Sequence, residues 1–257
     1  MKQVVELNLL QFSVVYLLLL IVLFIMKRSK VNRMKLLILS SVRMTLQLIL
    51  AGLILTYIFK NPHPAFTIAY LAVMAGFSVH RVLSKNKEIN SAFKWAVSLS
   101  LACTGIAMIL FFVGAIVRVN VFNPQYTITI GGMIMGNAMT GVTLAMKNFT
   151  ESVSTEREKI DTLINLGVTP KRILLPFVNN ALETALLPTL NSMLGMGIIS
   201  LPGMMTGQIL SGTMPMTAIL YQIAIMITIC TAVCLSVFSA LQFGVRTLYN
   251  KQNQIRL

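Results

Sequence analysis

The sequence predicts an all-α, polytopic integral membrane protein, built as a bundle of about seven transmembrane helices. Its 257 residues are 56% hydrophobic and 11% charged, and the mean hydropathy is +0.80. An ordinary soluble domain carries roughly 25% charged residues, because polar side chains must cover its surface. So few charges cannot cover a soluble fold, which excludes a soluble globular enzyme.

Seven apolar runs are long enough to cross a bilayer, which takes about 20 mostly apolar residues. They lie near residues 7–26, 36–59, 65–83, 95–117, 127–146, 177–199 and 216–244. The third run is weak and the sixth is interrupted. The longest hydrophilic stretch runs only from Asn148 to about Arg172. We therefore expect a single transmembrane domain over residues 1–257, with no second folded domain.

The basic residues predict how the helices are oriented. Seventeen of the 21 Lys and Arg residues fall in the segments after the first, third, fifth and seventh runs. Because cations are retained on the cytoplasmic side, we expect the N-terminus outside and the C-terminus in the cytoplasm of an inner or plasma membrane. These cations lie at the ends of apolar runs and form no single stripe, so we expect contact with membrane lipid and no nucleic-acid partner.

The most informative polar segment covers residues 150–172. Ile160, Leu163, Ile164 and Leu166 recur at near-helical spacing, and Gly167 follows as a helix stop. This pattern predicts a short amphipathic helix on the cytoplasmic side. It would either anchor a loop in the membrane interface or dock onto a soluble ATPase, as coupling helices of transport permeases do.

Residues of this segment are our candidates for coupling to an ATPase: Glu156, Glu158, Asp161, Leu163, Leu166 and Gly167. The chain has no GxxxxGK[ST] motif, which would cradle nucleotide phosphates. Any ATPase must therefore be a separate subunit.

The connection between the sixth and seventh runs is LPGMMTGQILSGTMP, residues 201–215, with two prolines and three glycines. Irregular backbone facing lipid would leave unpaired amides that each cost several kcal/mol. The segment is either a tight external turn or a re-entrant gate, and both interpretations stay open. The candidate path or gate residues in it are Pro202, Gly203, Met204, Met205, Gly207 and Gln208.

Further candidates for the path lie inside the apolar runs. Arg43, with Gln47 four residues later, and Glu183 are polar or charged groups in hydrocarbon, where charge is tolerated facing protein, a partner or water. They either snorkel to the cytoplasmic interface or pair and shape an entrance. Asn137 follows Gly132 and Gly136, whose spacing allows another helix to approach closely. Asn137 therefore either hydrogen-bonds across a helix contact or lines a polar path.

No metal-ligand set can be assigned from the sequence. Among the 17 methionines, Met204, Met205, Met214 and Met216 cluster near the last connection. Thioethers suit soft copper-type ions, yet methionine is also a common filler between apolar helices. Cys230 and Cys234 lie one turn apart and would supply two ligands, fewer than a stable site usually has. Neither histidine has a paired acid, so we expect a transport protein and not an enzyme.

Four motifs together carry a family resemblance over nearly the whole chain. They are SVRMTLQLILAG (41–52), GGMIMGNAMTG (131–141), LGVTPKRI (166–173) and LPGMMTGQILSG (201–212). The chain resembles the FetB-type permeases of bacterial ABC transporters, which include an iron exporter of enterobacteria and are similar to plant half-transporters linked to aluminium tolerance. The resemblance implies a homodimeric permease that pairs with a cytoplasmic ABC ATPase and exports iron or another metal ion.

In that arrangement the partner ATPase binds ATP and Mg, and this chain binds no cofactor. Oxygen ligands for iron would have to come from Asn137, Gln208, Glu183 or backbone carbonyls. The alternative is a secondary transporter or channel that works without an ATPase. Internal repeats and intramembrane acids would indicate that class, and the sequence offers no convincing repeat and few such acids.

Overall fold

The structure, a computed structural model, describes residues 8–86 and 89–249. Residue 7, at the start of the first predicted run, and the counted cations Lys2, Lys87, Lys251 and Arg256 lie outside the described residues. The described residues form nine α-helices and one π-helical segment, Phe112–Val117. The helices are α1 Leu9–Arg28, α2 Met34–Lys60, α3 Pro64–Lys85, α4 Ser91–Phe111, α5 Pro124–Thr155, α6 Arg157–Asn165, α7 Pro170–Gly195, α8 Gly203–Leu210 and α9 Pro215–Val245.

Seven of these helices are long and apolar enough to cross a membrane: α1 to α5, α7 and α9, with the π-helical segment continuing α4. They match the seven predicted runs in order, which confirms the all-α class and the number of spans. The weak third run is a helix of 22 residues. The orientation of the termini stays a prediction.

Two helices are longer than their predicted runs. α5 continues past residue 146 to Thr155, because nothing in Lys147–Thr155 breaks a helix and Lys147 pairs with Glu151 at 3.6 Å. α7 begins at Pro170 and not at residue 177, since Pro170 takes the first helical position, where its missing N–H costs nothing. Of the predicted 150–172 segment, only Arg157–Asn165 is therefore a separate helix.

Residue contacts divide the chain into two compact units. In the first, which covers residues 8–61 and 208–213, α1 and α2 are joined by the short turn after Arg28. The hydroxyl groups of Tyr16 and Thr45 form a hydrogen bond between these two helices. Most of their apolar side chains are exposed, as expected for helices that face lipid.

The second unit covers residues 62–86, 89–207 and 214–249, and α5 lies at its centre. α5 contacts α3, α4, α7 and α9, and α4 packs along α9. Leu101, Ile134, Val142, Leu174 and Val237, from four of these helices, are completely buried. The core of the unit is therefore one continuous apolar cluster.

Two glycines let α9 approach its neighbours closely. A methyl group at Gly141 of α5 would lie 2.6 Å from Cγ1 of Val233 on α9. A methyl group at Gly244 of α9 would lie 2.5 Å from the ring of Phe93 on α4. Since such distances are far below van der Waals contact, both helix crossings depend on the absence of a side chain.

Polar side chains fix the ends of the spans in the second unit. Asn90 caps α4, accepting a hydrogen bond from the Phe93 N–H at 2.7 Å, and its amide donates to the Thr247 carbonyl at 3.0 Å. Thr67 of α3 donates to the Phe122 carbonyl at 2.9 Å, in the connection before α5. These bonds hold the start of α4 against the end of α9, and α3 against the connection that leads into α5.

Candidate functional site

The amphipathic helix predicted from residues 150–172 corresponds to α6, and its apolar side is fixed to the second unit. Ile160 is 3% exposed and belongs to the main core, while Leu163 and Ile164 are half-buried against it. α6 contacts both α5 and α7. α6 therefore connects two membrane-spanning helices at one end of the unit.

The other side of α6 is polar and exposed. Glu158 and Asp161 are exposed, and Glu156 accepts a hydrogen bond from Lys159 Nζ at 2.7 Å. Just past the helix, Leu166 is 74% exposed. Of the candidate coupling residues, Glu158, Asp161 and Leu166 thus form an accessible surface, whereas Leu163 packs inward.

Gly167 ends α6 through its backbone geometry. Its φ of +82° lies in the left-handed region, which favours glycine. The Gly167 N–H donates to the Ile164 carbonyl at 2.9 Å, and the Val168 N–H donates to the Leu163 carbonyl at 3.1 Å. This bond pair is a Schellman motif, so Gly167 sets the sharp return from α6 to α7.

The proline- and glycine-rich connection contains a helix, which differs from the irregular backbone that its composition suggests. Gly203–Leu210 forms α8, and the chain turns back at Gly212, whose φ is +97°. Eight helical residues extend roughly 12 Å, well short of the roughly 30 Å of a hydrocarbon core. α8 is therefore a short insertion between α7 and α9 and not an eighth span.

A cavity of about 460 Å³ lies in the second unit between the end of α7, the 196–202 connection, α8 and α9. Pro202 and Met205, two of the predicted gate residues, line it. The other four do not: Gly203 begins α8, Met204 packs against the core, Gly207 is exposed, and Gln208 belongs to the first unit. The side-chain oxygen of Gln208 is buried and has no hydrogen-bond partner among the described residues.

Sequence reasoning missed four residues that line this cavity: Met193, Met196, Gln222 and Met226. Gln222 is 7% exposed and stands among apolar neighbours on α9, with Met226 one turn later. The sequence signal that could have identified it is an amide side chain within an otherwise apolar helix. Met193 lies in the last turn of α7 and Met196 just after it, and their approach to α9 depends on the turn that follows, which no helical period encodes.

Asn137 lies on the exposed side of α5. Its amide donates to the Met133 carbonyl at 2.8 Å, and Thr140 donates to the Gly136 carbonyl at 2.9 Å, so both bonds stay within the helix. A methyl group at Gly136 would meet no atom within 4 Å. Within the second unit α5 therefore meets α9 closely at Gly141, whereas a methyl group at Gly132 would meet only Met74 Cε, at 3.8 Å, and one at Gly136 would meet nothing.

Glu183 lies on the exposed side of α7, together with Asn179 and Asn180. The opposite side of α7 is buried through Phe177, Ala181 and neighbouring apolar residues. Amide and carboxylate groups thus occupy part of a membrane-spanning helix that no other element of the second unit covers.

Two prolines, Pro176 and Pro188, interrupt the hydrogen bonding of α7 from within. Proline has no N–H to donate to the carbonyl four residues earlier, which frees the carbonyls of Arg172 and Thr184. α7 therefore has two points at which bending costs less than in an uninterrupted helix.

Arg43 and Gln47 are exposed on α2 in the first unit, and Glu183 belongs to the second. Their pairing stays a prediction. Within the described residues, no group of three or more His, Cys, Asp or Glu side chains converges as a metal site.

Comparison with known proteins identifies relatives over most of the chain. The family model described as "Uncharacterised protein family (UPF0014)" matches residues 9–249. The UPF0014 membrane protein YjkA of Bacillus subtilis is 31% identical over 221 residues, 85% of this chain and 86% of the relative. The probable iron export permease protein FetB of Escherichia coli is 32% identical over 216 residues, 83% of this chain and 81% of that protein.

A plant protein is also similar. Protein ALUMINUM SENSITIVE 3 of Arabidopsis thaliana is 35% identical over 185 residues, 72% of this chain and 66% of that protein. No solved structure matches significantly. The seven apolar helices and the matched membrane proteins together establish a multi-pass membrane protein.

Proposed function

This chain belongs to the UPF0014 family, and from that premise we propose that it is the membrane-spanning permease subunit of an ABC-type exporter. Two copies pair with two separate cytoplasmic ATPase subunits, which bind ATP and Mg. The cargo is iron or another metal ion, which the name of the Escherichia coli relative supports.

The observation that carries this proposal is the division of α6 into a buried and an exposed side. An interfacial anchor would turn its apolar residues to lipid, but Ile160 is buried in the protein core. The exposed side instead offers two acids and Leu166 to a partner. A helix whose buried side packs against the core and whose exposed side is free to bind a partner suits the transmission of that partner's movement.

A groove beside α6 extends the surface available to an ATPase. It has a volume of about 230 Å³ and is lined by Thr150, Ser154 and Arg157, with Phe93 and Phe149 at its apolar base. Polar side chains around an apolar floor are typical of docking surfaces. We propose that the ATPase contacts both this groove and the exposed side of α6.

The open polar sides of α5 and α7 support a path that needs a second copy. Asn137 and Thr140 on α5, and Asn180 and Glu183 on α7, are exposed within spans that hydrocarbon would otherwise surround. Polar groups in hydrocarbon are costly unless they face protein or water. A homodimer that encloses these sides around an aqueous path removes that cost.

The proposed mechanism follows from the contacts of α6. When ATP closes the ATPase dimer, α6 is displaced, and it moves α5 and α7 because it contacts both. α7 bends at Pro176 and Pro188, where hydrogen bonds are missing. Since the cavity lies at the end of α7, this bending changes its access.

Charge reversal on α6 tests the proposal. Glu158→Lys combined with Asp161→Lys should reduce the amount of ATPase that co-purifies with the tagged chain at least about tenfold, because close interfacial charges contribute roughly 1.5 kcal/mol or more. Both residues are exposed, so membrane insertion should be unchanged. Lys60→Glu reverses an exposed charge at the end of α2, outside the proposed docking surface, and is the control.

Unchanged ATPase recovery with the double variant would remove α6 from the docking role. A native chain that recovers no ATPase, and whose transport persists in ATP-depleted cells, would instead favour a secondary transporter or channel.

A further inference from the structure

The cavity at the end of α7 has an unusual set of side chains. Four methionines are among the residues that line it, Met193, Met196, Met205 and Met226, and Gln222 provides its one side-chain amide. Its remaining walls are apolar or backbone, and none of its lining residues is charged or is a histidine. The donors available to a ligand are therefore sulfur and amide oxygen.

Gln222 indicates that something polar or cationic belongs there. Its side chain is 7% exposed, and its Nε2 donates to Sδ of Met196 at 3.8 Å. Its Oε1 is buried and has no hydrogen-bond partner among the described residues. An unsatisfied buried acceptor costs about 1–3 kcal/mol, so a ligand that accepts electron density from this oxygen would remove a cost that the folded chain otherwise carries.

Packing alone does not account for the arrangement. Methionine fills irregular gaps because its side chain is flexible, yet here four methionines help to line an open cavity of about 460 Å³ that the side chains of the second unit leave unfilled. A purely apolar filling would also have no use for Gln222.

The donor chemistry selects the class of ligand. Thioethers favour soft ions such as Cu(I), whereas carboxylate and carbonyl oxygen suit hard cations. We propose that this cavity binds a soft monovalent metal ion of the Cu(I) class through methionine thioethers, with the harder Gln222 oxygen as a weak additional ligand. The inference rests on the function proposed above and gives its cargo a chemical class that differs from iron.

Soft donors continue from the cavity along α9. Gln222, Met226, Cys230 and Cys234 follow one another at intervals of four residues, so they lie along one side of the helix. Both cysteines are half-buried free thiols. An ion leaving the cavity along α9 would therefore meet a thiol one turn and two turns beyond Met226.

Cu(I) binding by the full-length chain in lipid nanodiscs tests the proposal. Cu(I) is titrated against a chromogenic Cu(I) chelator, in a Cys103→Ser, Cys230→Ser, Cys234→Ser background that removes thiol binding. We expect one Cu(I) per chain. Met196→Leu with Met226→Leu should weaken binding at least about tenfold, since loss of even an outer partner of a metal costs about 10- to 100-fold.

The matched control is Met108→Leu with Met139→Leu, two half-buried methionines elsewhere in the second unit. It removes two thioethers without touching the cavity, and Met and Leu have similar volumes, so affinity should be unchanged. Gln222→Leu is an independent second variant, and it should weaken Cu(I) binding while leaving the thermal midpoint equal or higher.

Absence of Cu(I) binding in the cysteine-free background, or equal weakening by both methionine pairs, would overturn the proposal. So would tighter binding of Fe(II) than of Cu(I) in the same titration. ATPase co-purification is measured on the same samples: retained ATPase with no cavity-dependent Cu(I) binding rejects only this inference, whereas loss of ATPase from the native chain rejects the proposed function.

Discussion

Gly141 and Gly136 lie on the same helix, but their surroundings differ. Gly141 faces Val233 across the contact between α5 and α9, and Gly136 faces open space in the second unit. Gly141→Ala places a methyl group within 2.6 Å of Val233 Cγ1, on a stiff β-branched side chain.

We expect Gly141→Ala to destabilise the chain by about 1–3 kcal/mol, the typical cost of overpacking. Gly136→Ala should be neutral or stabilising, because alanine is the better helix former by about 1 kcal/mol. Thermal unfolding in detergent compares the two. Equal midpoints would show that the α5–α9 crossing does not depend on Gly141.

Gly167 makes a second prediction at the scale of one residue. A methyl group there meets no atom within 4 Å, so the cost of a side chain is purely conformational at φ +82°. Gly167→Ala should cost about 1–2 kcal/mol. Gly167→Asn should cost less, because asparagine tolerates the left-handed region, and a larger loss with asparagine than with alanine would refute this explanation.

Predictions for single residues succeeded where the interaction is local in sequence and failed where it joins distant parts of the chain. Gly167 was predictable, since a glycine after an amphipathic run ends a helix by local backbone geometry. Gly132 and Gly136 have no close neighbour within the second unit, because which glycine meets α9 depends on how α5 is rotated against it; approach by another copy at these positions stays a prediction. Met193, Met196 and Gln222 come together only through the turn after α7, so no sequence spacing relates them.

At the scale of elements, the buried side of α6 contributes to stability and its exposed side is the proposed contact for the ATPase. Ile160 packs α6 against the core, and Leu166 is exposed. Ile160→Ala should lower stability by about 2–5 kcal/mol, the usual cost of an isoleucine deletion in a core. Leu166→Ala should leave unfolding unchanged and reduce only ATPase recovery. If Leu166→Ala destabilises the isolated chain as much as Ile160→Ala, the assignment of the two sides is wrong.

The seven spans were predictable because hydrocarbon demands long apolar runs, and this demand acts on each helix separately. The extra turns of α5 and the early start of α7 were not, since polar residues continue a helix wherever no breaker intervenes. α8 was not predicted, because Pro202, Gly203 and Gly207 suggest a turn. The helix forms because Pro202 precedes it and Gly203 is its first residue.

At the scale of the whole molecule, the described chain leaves polar sides of α5 and α7 uncovered. It also presents the exposed side of the short helix α6, whose apolar side packs into the core. These features suit a subunit that pairs with a second copy and is moved by a separate ATPase subunit. The excess of cations on one side predicts that α6 lies in the cytoplasm, and this orientation stays a prediction. The central claim is therefore that a separate ATPase contacts the exposed side of α6.

Photo-crosslinking in intact cells tests that claim most directly, with a photoreactive amino acid placed at Glu158 on the exposed side of α6. We predict an adduct between this chain and an ATPase subunit, and no such adduct when the same group replaces Phe122, which is 47% exposed in the connection before α5, on the predicted outer side. Absence of an ATPase adduct at position 158, or labelling of that position by a membrane-impermeant reagent added outside the cell, would contradict the account.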